Sequence, residues 1–77
     1  MMPLFWLVHE KDGKRRILIQ EGSTLIFARL DAAMAGFDGD FIEAHRLDDK
    51  RAKKVPKKMI GRVLSPGEVS ALLDRLS

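Results

Sequence analysis

The stretch that decides the fold is LFWLVHEKDGKRRILIQ, residues 4–20. Two runs rich in aromatic and aliphatic residues flank Asp12-Gly13, a pair favoured in two-residue hairpin turns because both positions need positive φ. The stretch therefore predicts two antiparallel strands, with Val8 opposite Ile17. The same register also pairs Trp6 with Ile19, Leu7 with Leu18, Phe5 with Gln20 and Glu10 with Arg15.

Both faces of this hairpin are partly apolar, whereas an antiparallel sheet with one wet face alternates more cleanly. The second apolar face must be covered either by more of the same chain or by a second copy. Exposed apolar patches usually mark interfaces, so we expect a homodimer, with Phe5, Trp6 and Leu7 as the candidate interface. Trp6 has an alternative role, which is core packing against Ile19.

Helix signals bracket two later segments. Ser23 or Thr24 can cap a helix that ends near Ala35, before a natural stop at Gly36. Residues 65–68, SPGE, have the pattern of a capping box with proline at the first helical position. Apolar residues at helical spacing predict the buried stripe of each helix: Ile26, Leu30, Ala33 and Met34 in the first, and Val69, Leu72, Leu73 and Leu76 in the second.

The remaining segments have strand character. A turn at Asp38-Gly39 leads into a third strand over residues 40–47, and residues 58–64 predict a fourth strand that Gly61 weakens. The predicted order is ββαββα. This order favours an α+β fold with a four-stranded, mainly antiparallel sheet and two helices packed on one face.

Length and composition indicate one small domain. The 77 residues suffice for a single α+β domain, 1–77, in which residues 48–57 form a charged loop. The chain has no cysteine, and small secreted domains usually need disulfides, so we expect a cytoplasmic protein. The apolar opening MMPLFWLV is too short for a membrane span and lacks the features of a signal peptide.

Positive charge is concentrated in the second part of the chain. Residues 1–44 carry a net charge of −2 and residues 45–77 carry +5. Most of the excess lies in an acid-free basic segment, residues 50–62, and we take its cations as candidate binding residues: Lys50, Arg51, Lys53, Lys54, Lys57, Lys58 and Arg62. A secondary basic patch lies at the predicted hairpin tip and consists of Lys11, Lys14, Arg15 and Arg16.

Three interpretations of the basic segment remain open. Pro56 removes an amide donor and makes Val55 extended, so the segment cannot form one continuous helix, and residues 50–54 can form a single turn at most. Nucleic acid would therefore be contacted mainly through its phosphate backbone. An acidic protein partner would use the same charges. Alternatively, the segment neutralises the acidic residues that precede it in the chain.

No group of residues predicts catalysis. Glu43 and His45 are two apart and share a face of the third strand. A metal ion there would also need Asp38 or Asp40, but the spacing matches no established motif and a polar strand face explains these residues equally well. His9 reads as a surface residue. We expect no enzyme, no metal, no cofactor and no small-molecule substrate.

Two functions follow from these patterns. The first is a non-enzymatic protein-interaction module or accessory subunit that binds a second copy or another protein. The alternative is a small basic nucleic-acid-associated protein that contacts phosphates through residues 50–62. No membrane partner is expected.

Overall fold

The computed structural model describes residues 2–37 and 40–77, which form three strands, two longer helices, a one-turn helix and a 3-10 turn. In chain order they are β1 (Leu4–Lys11), β2 (Lys14–Glu21), α1 (Leu25–Met34), β3 (Asp40–Arg46), α2 (Asp49–Ala52), a 3-10 turn (Lys57–Met59) and α3 (Pro66–Leu76). The α+β class is confirmed. The turn predicted at Asp38-Gly39 lies outside the described residues. None of the described helices is long and apolar enough to cross a membrane.

The predicted hairpin is confirmed in its turn and in its register. Asp12 and Gly13 have φ values of 54° and 74°, as a two-residue turn with two left-handed positions requires. The observed partners of β1 and β2 include Val8 with Ile17, Trp6 with Ile19, Leu7 with Leu18, Phe5 with Gln20 and Glu10 with Arg15. The turn residues therefore determine which side chains share a face.

β1 is the central strand of a three-stranded sheet with the order β2-β1-β3. β3 pairs antiparallel with the other edge of β1, and the register shifts between Val8 and His9. Such an irregularity increases the local twist of the sheet. Because β1 is paired along both edges, its only route to solvent is through the two faces of the sheet.

Both faces of the sheet are covered by the chain itself. Successive side chains of β1 point to opposite faces, and both sets are apolar. One face packs against α1 and contains Phe5, Leu7, Leu18, Ala28, Ala32 and Phe37. The other packs against the C-terminal part of the chain and contains Leu4, Trp6, Val8, Ile19, Leu47, Ala52, Val55, Met59, Leu64 and Leu72. The expectation that two helices share one face is therefore wrong, because α1 and α3 lie on opposite faces.

The predicted fourth strand and the ββαββα order are not confirmed. Residues 57–59 form a 3-10 turn instead, and Gly61 then takes a φ of 82° that redirects the chain. Two isolated bridges remain beside β2, from Ile60 to Ile19 and from Val63 to Leu18, one parallel and one antiparallel. Since the chain reverses between the two bridges, no regular strand can form, but the outer edge of β2 is still partly covered.

The first helix begins and ends as predicted but presents a different face to the sheet. Thr24 is the N-cap, and its hydroxyl accepts a hydrogen bond from the amide of Phe27 at 3.4 Å. After the helix, Gly36 has a φ of 100° and Phe37 is buried against the core. The residues of α1 that are buried are Ala28 and Ala32. The predicted stripe is wrong, because Ile26, Leu30, Ala33 and Met34 are all exposed.

The last helix confirms its predicted capping box. The Ser65 hydroxyl accepts from the Glu68 amide at 3.2 Å, and the Glu68 carboxylate accepts from the Ser65 amide at 3.1 Å. Of the predicted stripe, Leu72 is fully buried, and Val69 and Leu76 are partly buried. Leu73 is instead 51% exposed.

Gly22 sets how closely α1 approaches the sheet, and its replacement tests this packing. A Cβ at Gly22 would lie 2.8 Å from the Ala28 amide nitrogen and 2.9 Å from its Cβ. We expect Gly22→Ala to lower the free energy of unfolding by about 1–3 kcal/mol. The matched control is Gly67→Ala at the start of α3, where a Cβ meets nothing within 4 Å and should stabilise the protein by up to about 1 kcal/mol. Urea unfolding of both variants measures the difference; equal stabilities would contradict the close approach.

Candidate interaction surfaces

The basic segment is attached to the core at three points. Ala52, Val55 and Met59 are buried in the core cluster on the sheet face opposite α1, which we call the C-terminal cluster. The backbone between them is also held, because the Arg75 guanidinium donates to the carbonyl of Lys54 at 3.0 Å. The segment begins with the single helical turn that the sequence allows, α2. The basic side chains therefore project from a backbone whose position is set by core packing.

Among the described residues, the two arginines of the segment are paired with acids, whereas the lysines are not. Arg51 lies 3.8 Å from Asp48, and Arg62 forms a bidentate pair with Glu68. Five side chains have no acidic partner within 4 Å among the described residues; we call them the lysine cluster: Lys50, Lys53, Lys54, Lys57 and Lys58. Neutralisation by neighbouring acids thus accounts for the arginines but leaves the lysine charges available to a partner.

Two members of the lysine cluster share a cavity. Lys53 and Lys57 line a space of about 520 Å³ whose other lining residues are Met2, Leu4, Glu21, Ala52, Val55 and Ile60. We call it the Lys53–Lys57 cavity. A smaller space of about 240 Å³ adjoins it and also has Met2, Leu4, Ala52 and Lys53 in its lining. This part of the basic segment is therefore amphipathic, with ammonium groups beside an apolar depression.

The secondary basic patch lies at the other end of the sheet. Lys11, Lys14, Arg15 and Arg16 are all exposed around the hairpin turn, and Arg15 lies 3.6 Å from Glu10. The Lys53–Lys57 cavity instead lies beside Leu4 and Glu21, which pair at the open end of the hairpin. The intervening eight residues of β1 span about 25 Å. The fold does not bring the two basic regions together.

The candidate interface residues of the hairpin lie in the interior. Phe5, Trp6 and Leu7 are all buried, with Phe5 and Leu7 beneath α1 and Trp6 in the C-terminal cluster. The alternative role predicted for Trp6, core packing near Ile19, is the one observed. These side chains are covered by their own chain and present no surface to a partner.

The apolar surface that the sequence reasoning missed is the outer side of α1. Its four exposed side chains, which we call the α1 outer face, are Ile26 (78% exposed), Phe27 (54%), Leu30 (53%) and Met34 (79%). The signal that could have revealed it is the pair Ala28 and Ala32, four apart, on the opposite side of the helix. Small residues let a helix approach a sheet closely, and the larger apolar stripe then faces solvent.

The residues predicted as possible metal ligands do not come together as a group of ligands in the described part of the chain. Glu43 and His45 do share a strand face, with 3.5 Å between the carboxylate and Nδ1, but the described residues contain no group of three or more potential ligands. Asp38 lies outside those residues. The surface prediction for His9 is wrong: the side chain is 1% exposed, and its ring lies 4.6 Å from that of Phe37.

Comparison with protein-family models, with curated proteins and with solved structures found no match to this chain.

The Arg62–Glu68 pair gives the start of α3 a defined pH dependence. The pKa of Glu68 is lowered to about 2 from 4.5, first because Arg62 donates to the carboxylate and second because the Ser65 amide does. A lowered pKa means that the stabilisation is complete above about pH 4.5 and is lost as the pH falls toward about 2.

Replacement of Glu68 tests this pair. Glu68→Gln keeps a capping side chain but loses the charge. We expect the variant to be less stable than the parent protein at pH 6, and we expect the difference to shrink as the pH falls through the range from about 4.5 to 2. Thermal unfolding across this range measures it, and Arg62→Gln should show the same trend. A stability difference that stays constant down to pH 2 would contradict the ion pair.

Proposed function

We propose that this protein is a non-enzymatic, cytoplasmic protein-interaction module or accessory subunit, and that two copies pair through the α1 outer face. The observation that supports the proposal is the exposure of Ile26, Phe27, Leu30 and Met34 on a helix whose inner face is already buried. Apolar groups clustered on the outside of a small domain are typical of an interface. Because the chain itself covers both faces of the hairpin, no second copy is needed there. We therefore place the dimer interface on α1 and not on β1.

The spacing of the α1 outer face suits a second copy. Ile26, Leu30 and Met34 are four apart and form one ridge along the helix, and ridges of this type pack into each other at about −50° in the commonest class of helix pair. The ridge is symmetric about Leu30. A two-fold axis near Leu30 would place Ile26 against the partner's Met34, and Met34 against the partner's Ile26, as an isologous interface requires.

The charges near α1 favour a protein partner over a membrane surface. The helix contains two charged residues, Arg29 and Asp31. Arg29 is placed over the ring of Phe41 at 5.0 Å, which directs it toward the sheet. Helices that lie on membranes usually carry several cations beside the apolar face. α1 lacks these cations and instead presents an almost uncharged surface.

Pairing through α1 is also favoured over pairing through the sheet edge. The outer edge of β3 is unpaired among the described residues, but the strand carries the charged side chains of Asp40, Glu43 and Arg46. Its pairing with β1 is also irregular. Charges and bulges on an edge strand are the usual protection against the addition of another strand.

The buried area supports a modest affinity. Full burial of one such side chain contributes about 1.5–3 kcal/mol, so two partly exposed sets of four could contribute on the order of 8–15 kcal/mol in total. Association costs about 4–15 kcal/mol. Because the gain and the cost are of similar size, we expect weak pairing, with a dissociation constant in the range of about 1 µM to 1 mM.

Leu30→Glu tests the proposal because it places a charge at the centre of the α1 outer face. Sedimentation velocity over about 1–500 µM should show a dimer for the parent protein and a monomer for the variant. Leu73→Glu is the matched control, since Leu73 is 51% exposed and Leu30 is 53% exposed, and this variant should still pair. Both variants should unfold within about 1 kcal/mol of the parent protein. A parent protein that stays monomeric throughout, or equal pairing by both variants, would contradict pairing through α1.

Nucleic-acid binding is the weaker candidate. The unpaired charges of the lysine cluster favour contact with a polyanion. The two arginines that could fork onto phosphates or guanines are engaged with Asp48 and Glu68. The segment also has no aromatic side chain for base stacking. The charges alone therefore suit an acidic protein at least as well as a nucleic acid.

A further inference from the structure

The Lys53–Lys57 cavity combines an apolar interior with positive charge. Leu4, Ala52 and Val55 are buried side chains of the C-terminal cluster that reach its wall, and Ile60 packs beside them. Lys53 and Lys57 contribute two positive charges to the lining and Glu21 contributes one negative charge. The volume of about 520 Å³ is within the range of ordinary ligand pockets. A complementary ligand would bring an apolar group for the interior and carboxylates for the lysines.

The backbone that carries the two lysines is fixed before any partner arrives. In the chain, Lys53 comes between the buried residues Ala52 and Val55, and Lys57 comes two positions before the buried Met59. The amide of Lys53 donates to the carbonyl of Asp49 at 3.2 Å, and the carbonyl of Lys57 accepts from the amide of Ile60 at 3.1 Å. On the protein side, the lysine side chains lose freedom on binding but the backbone that carries them does not, which lowers the entropic cost of association.

From this juxtaposition we infer that the Lys53–Lys57 cavity binds an acidic peptide segment of a partner protein, which inserts one apolar side chain into the cavity and places flanking carboxylates at Lys53 and Lys57. This surface lies on the sheet face opposite α1, so it does not depend on pairing of two copies. One copy could hold a second through α1 and an acidic partner through the cavity.

An acidic peptide explains more of this surface than a nucleic acid does. A phosphate backbone would satisfy the lysines but would leave the apolar wall formed by Leu4, Val55 and Ile60 without a complementary group. In the described part of the chain, no aromatic residue lines the cavity to stack on a base. Phosphate binding would also use the whole lysine cluster similarly, whereas a peptide held in the cavity depends on the two lysines that line it. This difference separates the two ligands experimentally.

The test uses labelled peptides with a central apolar residue between two pairs of glutamates, made with Leu, Ile, Phe or Trp at the centre. Fluorescence anisotropy should show that at least one binds the parent protein, and that the same peptide with a central Ser binds about tenfold more weakly or worse. The double variant Lys53→Glu/Lys57→Glu should weaken binding at least about tenfold. Lys50→Glu/Lys58→Glu, with the same change in net charge, should weaken it by less than about threefold.

Three results would overturn the inference. The first is that none of the four peptides binds at protein concentrations up to about 1 mM. The second is an equal loss in both double variants, which would indicate a general charge effect. The third is that duplex DNA or RNA binds more tightly than any of the peptides and is weakened equally by both double variants. Sedimentation of Lys53→Glu/Lys57→Glu should show unchanged self-association, so failure here is distinguishable from failure of α1 pairing.

Discussion

The structure depends on one constraint: β1 is apolar toward both faces of the sheet and is paired along both edges. Leu4 to Val8 are all buried, and their side chains alternate between two clusters. A strand of this kind requires cover on both sides. α1 supplies it on one face, and the segment from Leu47 to Leu72 supplies it on the other. The candidate binding surfaces therefore lie on these covering elements or where they border the sheet.

Local sequence signals predicted the parts of the fold that local chemistry determines. The Asp12-Gly13 turn fixed the hairpin register, and residues 65–68 fixed the start of α3. The errors concern choices that only tertiary packing makes. α1 has two apolar stripes, one of small alanines and one of larger side chains. Periodicity cannot show that the alanine stripe packs on the sheet, because this depends on the close approach of Gly22 and Ala28. Residues 58–64 had strand character, but among the described residues they pair with β2 through two isolated bridges instead of a ladder.

The candidate surfaces were predictable to different extents. The basic segment is visible in composition, and Pro56 correctly limited it to a short helical turn. The sequence did not show which cations remain available to bind a partner. This depends on tertiary contacts such as the pair of Arg62 with Glu68, which spans the turn into α3. The α1 outer face was missed because its residues were assigned to the core. His9 was missed for the converse reason, since a polar residue near a turn gave no sign of the Phe37 ring that covers it.

Native-state hydrogen exchange of the β1 amides tests the central claim most directly. It should be measured at a concentration well below the dissociation constant of α1 pairing, so that any protection comes from one chain. If a single chain covers both faces of β1, the amides of Leu7 and Val8 will exchange only through global unfolding, with an opening free energy equal to that from urea unfolding. Exchange of these amides through an opening more than about 2 kcal/mol easier than global unfolding would contradict the account.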